Sequence, residues 1–301
     1  MPDSTKSIDL VQLIDQFHSE EPCREVLAKL RWPNGVTCIR CGSDRITTLE
    51  TYAKYECNVC SYQFSVMAGT IFHDTHLPLR KWFLATYLMC ESRKGISANQ
   101  MKRTLNVSYK TAWYLCHRIR AAMGEANPMP LGGVTGIVEA DETFIGGVKH
   151  GKRGDRSTKT IVAGVIERGG DVRMKVIGDL KRRTLHGFIN DHVSRDAKRI
   201  MTDSWWSYQG IGDANTKHEV VDHNKKEYVR GDVHTNTVEN VWSLLNRSIM
   251  GSYHHLSEKH LDAYLDELEW RFNNRKNPYL FRDTLMRLLK AQSLRYRELT
   301  A

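Results

Sequence analysis

The chain has 301 residues, 41% of them hydrophobic and 26% charged, enough to bury two cores and too apolar for a disordered or fibrous protein. Its 44 Lys and Arg against 35 Asp and Glu leave a net charge of +9, which favours a polyanionic partner such as nucleic acid. No run of 18 apolar residues occurs and MPDSTKSIDL lacks the basic and apolar regions of a signal peptide, so a cytoplasmic location without membrane contact is expected.

Residues 1–33 read as a helical lead-in: Leu10, Leu13, Ile14 and Phe17 share one helical face, and a second short helix ends at Trp32-Pro33. A ribbon is expected over 34–70. Cys38, Cys41, Cys57 and Cys60 form C-x2-C-x15-C-x2-C, two knuckles that each aim two thiolates at one point, the tetrahedral sulfur shell that zinc prefers. Gly42 after the first pair and a strand-like run from Tyr52 to Glu56 support it. Four reduced core cysteines is the bland alternative. Cys23, Cys90 and Cys116 fall on apolar helical faces and read as buried thiols, and His73 and His76 as surface or packing residues.

Over 78–126 three helices can be drawn, LRKWFLATYLMC, ISANQMKRTL and SYKTAWYLCHRIRAAM. Ser97 and Ser108 suit helix caps, and the last two helices, joined at Asn106-Val107, read as a helix-turn-helix. Tyr109, Lys110 and Tyr114 are then expected on the exposed face of the second helix; a plain helical bundle is the alternative. NPMPLGG, residues 127–133, is the domain boundary.

After it GIVEADETFIGG, TKTIVAGVIER and DVRMKVIGDL predict an antiparallel meander, followed by the helix TLHGFINDHV, a strand ending near Asp203 and another at EVVDH. Strand alternation puts Val138, Ala140, Glu142 and Phe144 on one face and Glu139, Asp141, Thr143 and Ile145 on the other. Asp141 sits in an apolar β-rich run and Asp203 follows Ile200-Met201, positions where a carboxylate is costly to bury unless paired or metal-bound. Acids from separate elements, far apart in sequence, are the hard oxygen ligands that magnesium needs for phosphoryl transfer. In HTNTVENVWSLLNRSIMG a wheel of about 100° per residue sets Glu239 and Asn246 on the border of the packed face and points Asn240 away.

The order of zinc ribbon, helix-turn-helix, VEADETFIGG, MTDSWWSY, HTNTVENVWSLLNR and YLDELEWRFNNR resembles the insertion-sequence DDE transposases of the ISXO type that carry an N-terminal zinc ribbon. That resemblance spans about residues 20 to 290. It implies a bacterial α/β protein whose 134–292 segment is a ribonuclease-H-like catalytic domain, a mixed sheet with flanking helices. It also implies Mg²⁺ or Mn²⁺ at a catalytic triad of Asp141, Asp203 and Glu239, and structural Zn²⁺ at the four cysteines. The implied activity is cleavage and strand transfer at terminal inverted repeats, with water and DNA hydroxyls as nucleophiles. The partners are end and target DNA, with a homo-oligomer in the synaptic complex, at the nucleoid when DNA is bound. Many relatives carry Lys where this chain has Asn246, which offers only neutral hydrogen bonds; Arg247 points about 100° away.

Further DNA contacts are expected from Lys149, Lys152, Arg153, Arg156 and Lys159 in a glycine-rich loop. His234 and Asn236 are expected to touch DNA or orient the site, and Arg271, Asn273, Asn274 and Arg275 to lie near DNA, whereas Leu261, Tyr264, Leu265, Leu268 and Phe272 read as core. Trp205, Trp206 and Tyr208 read as sheet packing before base stacking. Two competing readings are a non-catalytic DNA-binding regulator or domesticated transposase, and a structure-selective nuclease with the same metal site. An intact acid triad argues against the first.

Overall fold

The structure, a computed structural model, describes residues 8–125, 127–146, 159–225, 227–254 and 256–301. In chain order the elements are α1 (Leu10–Gln16), α2 (Glu20–Arg31), β1 (Ile46–Leu49), β2 (Lys54–Cys57), β3 (Gln63–Phe64), α3 (Leu79–Glu91), α4 (Ala98–Leu105) and α5 (Tyr109–Met123). There follow β4 (Ile137–Ile145), β5 (Thr160–Glu167), β6 (Val172–Ile177), α6 (Arg182–His192), β7 (Arg199–Asp203), β8 (Lys217–Val221), α7 (Asn236–Ser248), α8 (Glu258–Asn273), α9 (Leu280–Lys290) and α10 (Tyr296–Thr300). The chain forms two compact units, Met1–Met123 with Asn277–Ala301, and Gly124–Lys276. Among the described residues no helix is long and apolar enough to cross a membrane.

In the first unit α1 opens on a capping box at Asp9 and Gln12, and buries Leu13 and Phe17. Leu10 and Ile14, expected on the same face, stay exposed, because a seven-residue helix turns only one i, i+4 pair fully inward. β1, β2 and β3 form an antiparallel sheet around Trp32, Tyr55 and Phe64. Ser97 caps α4 by accepting from Gln100 N at 3.1 Å, Asn106 turns the chain with φ 48°, and Ser108 Oγ accepts from Thr111 N at 3.1 Å. Tyr114 is not exposed as expected: its hydroxyl donates to Leu294 O and its ring meets Tyr296 edge-on, so the returning C-terminal segment covers that face of α5. Cys23, Cys90 and Cys116 are buried, and His73 and His76 lie at the surface. The expected 134–292 span runs past the boundary of the second unit, for α9 packs on α3 and α5.

The second unit is built on a five-stranded mixed sheet in the order β6-β5-β4-β7-β8. β4, β5 and β6 form the antiparallel meander, and β4, β7 and β8 run parallel. Alternation along β4 feeds two cores. Val138 and Ala140 pack with α6 residues Leu185, Phe188 and Ile189 on one face. On the other, Ile145 joins Val238, Trp242 and Leu245 of α7 and Leu261, Leu265 and Leu268 of α8. This helix-flanked mixed sheet has the layering expected from the ribonuclease-H-like resemblance.

α8 also lies along β6, an edge strand whose unpaired N–H groups would otherwise invite pairing with another chain. Asp262 Oδ1 accepts from Val176 N at 3.0 Å, Glu269 Oε1 accepts from Met174 N, and Asn273 Oδ1 accepts from Val172 N at 2.8 Å. Asn273 Nδ2 also donates to Val172 O at 3.1 Å. Before β4, Glu167 gathers the N–H groups of Gly132, Val134 and Thr135, fixing the segment that delivers the strand.

Candidate active site

Asp141 and Asp203 stand on neighbouring parallel strands. β4 and β7 pair through Glu139↔Met201; two residues further along each strand in the same direction lie Asp141 and Asp203, on the face that carries Glu139 and Met201. Asp203 closes β7, whereas Asp141 lies inside β4 where its pairing with β7 has ended. Glu142 points to the opposite face, where its Oε2 accepts from the buried Tyr208 hydroxyl at 2.7 Å.

Burial, reinforced by the charges of Glu142 and Asp203, pushes the Asp141 carboxyl up to about 8 against the pull of the Trp242 hydrogen bond. Trp242 Nε1 donates to Asp141 Oδ2 at 2.9 Å. Its ring reaches the acid by crossing Gly164, the β5 partner of Asp141; a Cβ there would lie 2.4 Å from Trp242 Cη2. Burial also raises Asp203, opposed by the N–H of Trp205, 2.9 Å from its Oδ1, and by His223.

Glu239 comes from the first turn of α7 and is exposed. Its Oε1 accepts from Thr235 Oγ1 at 2.9 Å and lies 3.9 Å from His223 Nε2. His223, just past β8, therefore neighbours Glu239 and also acts electrostatically on Asp203. Among the described residues the three carboxylates do not gather as tightly as the four cysteines do. Asn240 and Asn246 are exposed, and Glu239, Trp242, Ser243, Asn246, Arg247 and Met250 line one open groove along α7. Asn246 thus shares an edge with Glu239. Trp205 and Trp206 are exposed beside Asp203, while Tyr208 is buried.

Sequence reasoning passed over His223, Trp242, Gly164 and Glu139 as site residues. Only Glu139 carried a signal, since alternation sets it on the face of Asp141. Its carboxylate is fully buried and faces Arg168, His234 and the start of α7.

Other expected DNA contacts fare unevenly. Lys149, Lys152, Arg153 and Arg156 lie outside the described residues. Tyr109 and Lys110 are exposed at the start of α5, and the Lys110 ammonium sits 4.3 Å from the centre of the Tyr296 ring. The group at the end of α8 is engaged within the fold: Arg271 is buried against Glu267, Asn273 holds β6, Asn274 donates to Trp270 O, and Arg275 donates to Gly170 O. Asn273 engages the sheet edge, whereas Arg271 and Asn274 are held within the helix itself.

The four cysteine sulfurs lie within 4.8 Å of one another, a group able to chelate a metal ion. The two knuckles match: Gly42 N donates to Cys38 O at 2.9 Å and Ser61 N to Cys57 O at 2.8 Å. Gly42 and Ser61, each next after a second cysteine, both have positive φ, 75° and 54°. Burial raises Cys57, but the N–H groups of Cys60 and Val59 and the neighbouring sulfurs outweigh it and bring the thiol to about 6. Cys41, despite the N–H of Ser43, is pushed to about 12 by the sulfurs beside it. Four adjacent thiols cannot all ionise without a cation, and a soft dication resolves that conflict.

Residues 133–273 match the family model of an ISXO2-like transposase domain, and residues 18–63 match that of a transposase zinc-ribbon domain. The chain is similar to a protein in transposable element ISH50 of Halobacterium salinarum, 28% identical over 279 residues that cover 86% of this chain and 92% of the other. It is also similar to a transposase-like protein of Haemophilus influenzae, 26% identical over 99 residues, 33% of this chain and 78% of that one.

Proposed function

On the premise that this chain carries matches to an ISXO2-like transposase domain and to a transposase zinc-ribbon domain, we propose that it is a transposase that cuts and rejoins DNA at the terminal inverted repeats of an insertion sequence through Asp141, Asp203 and Glu239. The observation that carries this reading is the common level and face of Asp141 and Asp203 on two adjacent parallel strands, below the helix that bears Glu239.

The donor set suits Mg²⁺ or Mn²⁺: hard carboxylate oxygens, two of them on acids whose ionisation is opposed by burial and like charge. Asp141, Asp203 and Glu239 would hold the divalent cation, whose chemistry there would be activation of a water or a DNA 3′-hydroxyl and stabilisation of the leaving oxygen. The protein's own part is positioning. Trp242 orients Asp141, the Trp205 N–H orients Asp203, and Thr235 holds Glu239. Nucleophile and leaving group both belong to water or DNA, so no residue becomes covalently attached. Trp205 and Trp206 offer ring faces to an unstacked base next to the cut, and Asn246 offers an amide to a base edge or phosphate from the groove it shares with Glu239.

Zn²⁺ in the four cysteines holds the ribbon. Ribbon and helix-turn-helix bind the terminal repeats, with Tyr109, Lys110, Arg247 and the basic residues Lys149, Lys152, Arg153 and Arg156 supplying contacts, and synapsis of two ends engages a second copy of the chain. Incubation with Mg²⁺ and DNA carrying the element's ends tests the reading. Cleavage at the repeat termini that Asp203→Ala abolishes is expected; undiminished cleavage by that variant, or sequence-specific binding without any cleavage by the unaltered chain, overturns it.

A further inference from the structure

We propose that Glu139 is a positioning residue of this site, a strand-borne clamp that fixes the start of α7 and thereby the reach of Glu239; the inference rests on the assignment of Asp141, Asp203 and Glu239. Glu139 is 0% exposed. Its carboxylate accepts from Thr237 N at 2.8 Å, Thr237 Oγ1 at 2.8 Å, Val238 N at 3.1 Å and Arg168 Nε at 2.6 Å, and His234 Nδ1 stands 3.2 Å away. Three of these donors belong to the first turn of α7.

That turn lacks its usual local acceptor. Thr235, the residue before the helix, makes no capping hydrogen bond with its side chain; its hydroxyl donates to Glu239 instead. The acceptor a cap normally supplies comes from β4, and an anion is favoured at that helix end. Glu139 lies two residues from Asp141 on one strand face, and Thr237 lies two residues from Glu239 on the helix. One carboxylate therefore joins the strand of the first acid to the helix of the third. Arg168 extends the joint into the loop before α7, donating to Asp232 O at 2.6 Å and His234 O at 3.0 Å.

A carboxylate is required because the Thr237 and Val238 N–H groups, the Thr237 hydroxyl and the Arg168 guanidinium all donate to it. Glu139→Gln keeps the shape but sets an NH2 donor among those N–H groups. Partners that orient metal ligands cost about 10–100-fold in metal affinity or activity when altered. Glu139→Gln is accordingly expected to fold, to bind end DNA as the unaltered protein does, and to weaken Mn²⁺ binding, read by Mn²⁺ paramagnetic resonance, by about tenfold or more. Hydrogen exchange should quicken at Thr237, Val238 and Glu239 and stay unchanged in the strands. End cleavage should then be recovered in large part by raising Mn²⁺. Mn²⁺ affinity and α7 exchange both unaltered in Glu139→Gln overturn the clamp. If that variant does not fold, Thr237→Val removes one donor to the same carboxylate, and unchanged Mn²⁺ affinity in it overturns the inference equally. The two readings fail separately: loss of the triad assignment shows as Asp203→Ala cleaving normally, whereas loss of the clamp shows as Glu139→Gln binding Mn²⁺ normally while Asp203→Ala is inert.

Discussion

Asp141 is held where ionisation is costly, and that cost is open to measurement. Burial and the charges of Glu142 and Asp203 raise its carboxyl from 3.8 to about 8. The folded chain keeps a proton that the unfolded chain releases, so this contribution to stability is fully present below about pH 4 and is lost as pH rises toward 8. Asp141→Asn keeps an oxygen for Trp242 and removes the titration. Without divalent cations it should therefore be more stable than the unaltered protein at pH 7–8, by on the order of 1 kcal/mol or more, and its denaturant midpoint should fall less between pH 4 and 8. An equal pH dependence in the two proteins would contradict this account of Asp141. The acid itself was legible in the sequence, as an aspartate in an apolar strand. What surrounds it was not: Trp242 reaches it only because β5 register sets Gly164 beside it, and register between distant strands leaves no local trace in the chain.

Helix α7 was readable as an element, because one wheel separates the buried Val238, Trp242 and Leu245 from the exposed Asn240 and sets Glu239 at the border. Helix α8 was readable only by half. Its apolar spacing predicted the core residues Leu261, Leu265 and Leu268, but its polar terminus, read as lying near DNA, gave no sign that Asn273 also covers a sheet edge. Periodicity reports which face of a helix is apolar, and is silent about which strand lies alongside. Asn273→Ala removes both hydrogen bonds to Val172 and leaves a buried edge amide unsatisfied, so a loss of about 1–3 kcal/mol is expected in denaturant unfolding. Affinity for end DNA should be unchanged; a variant of full stability with weakened DNA binding would restore the role suggested by the sequence.

At the scale of the whole chain, two kinds of organisation serve one proposed activity. The ribbon is too small to be held by its modest aromatic core alone, whereas the 124–276 unit buries two faces of a five-stranded sheet. Chelation of zinc should therefore unfold the ribbon, with Ellman-reactive thiols rising by the four cysteines, while the sheet keeps its own thermal transition. A single transition shared by both would contradict that division. The return of Asn277–Ala301 to the first unit was invisible beforehand, since a C-terminal amphipathic helix carries no label saying which core it joins.

The most direct test of the central claim is metal rescue at the second acid. If Asp203 holds a divalent cation, Asp203→Cys should lose end cleavage in Mg²⁺ by about 100-fold or more and regain much of it in Mn²⁺, which tolerates a sulfur ligand better. Cleavage in Mg²⁺ at the rate of the unaltered protein would contradict the assignment of Asp203, and with it the catalytic site.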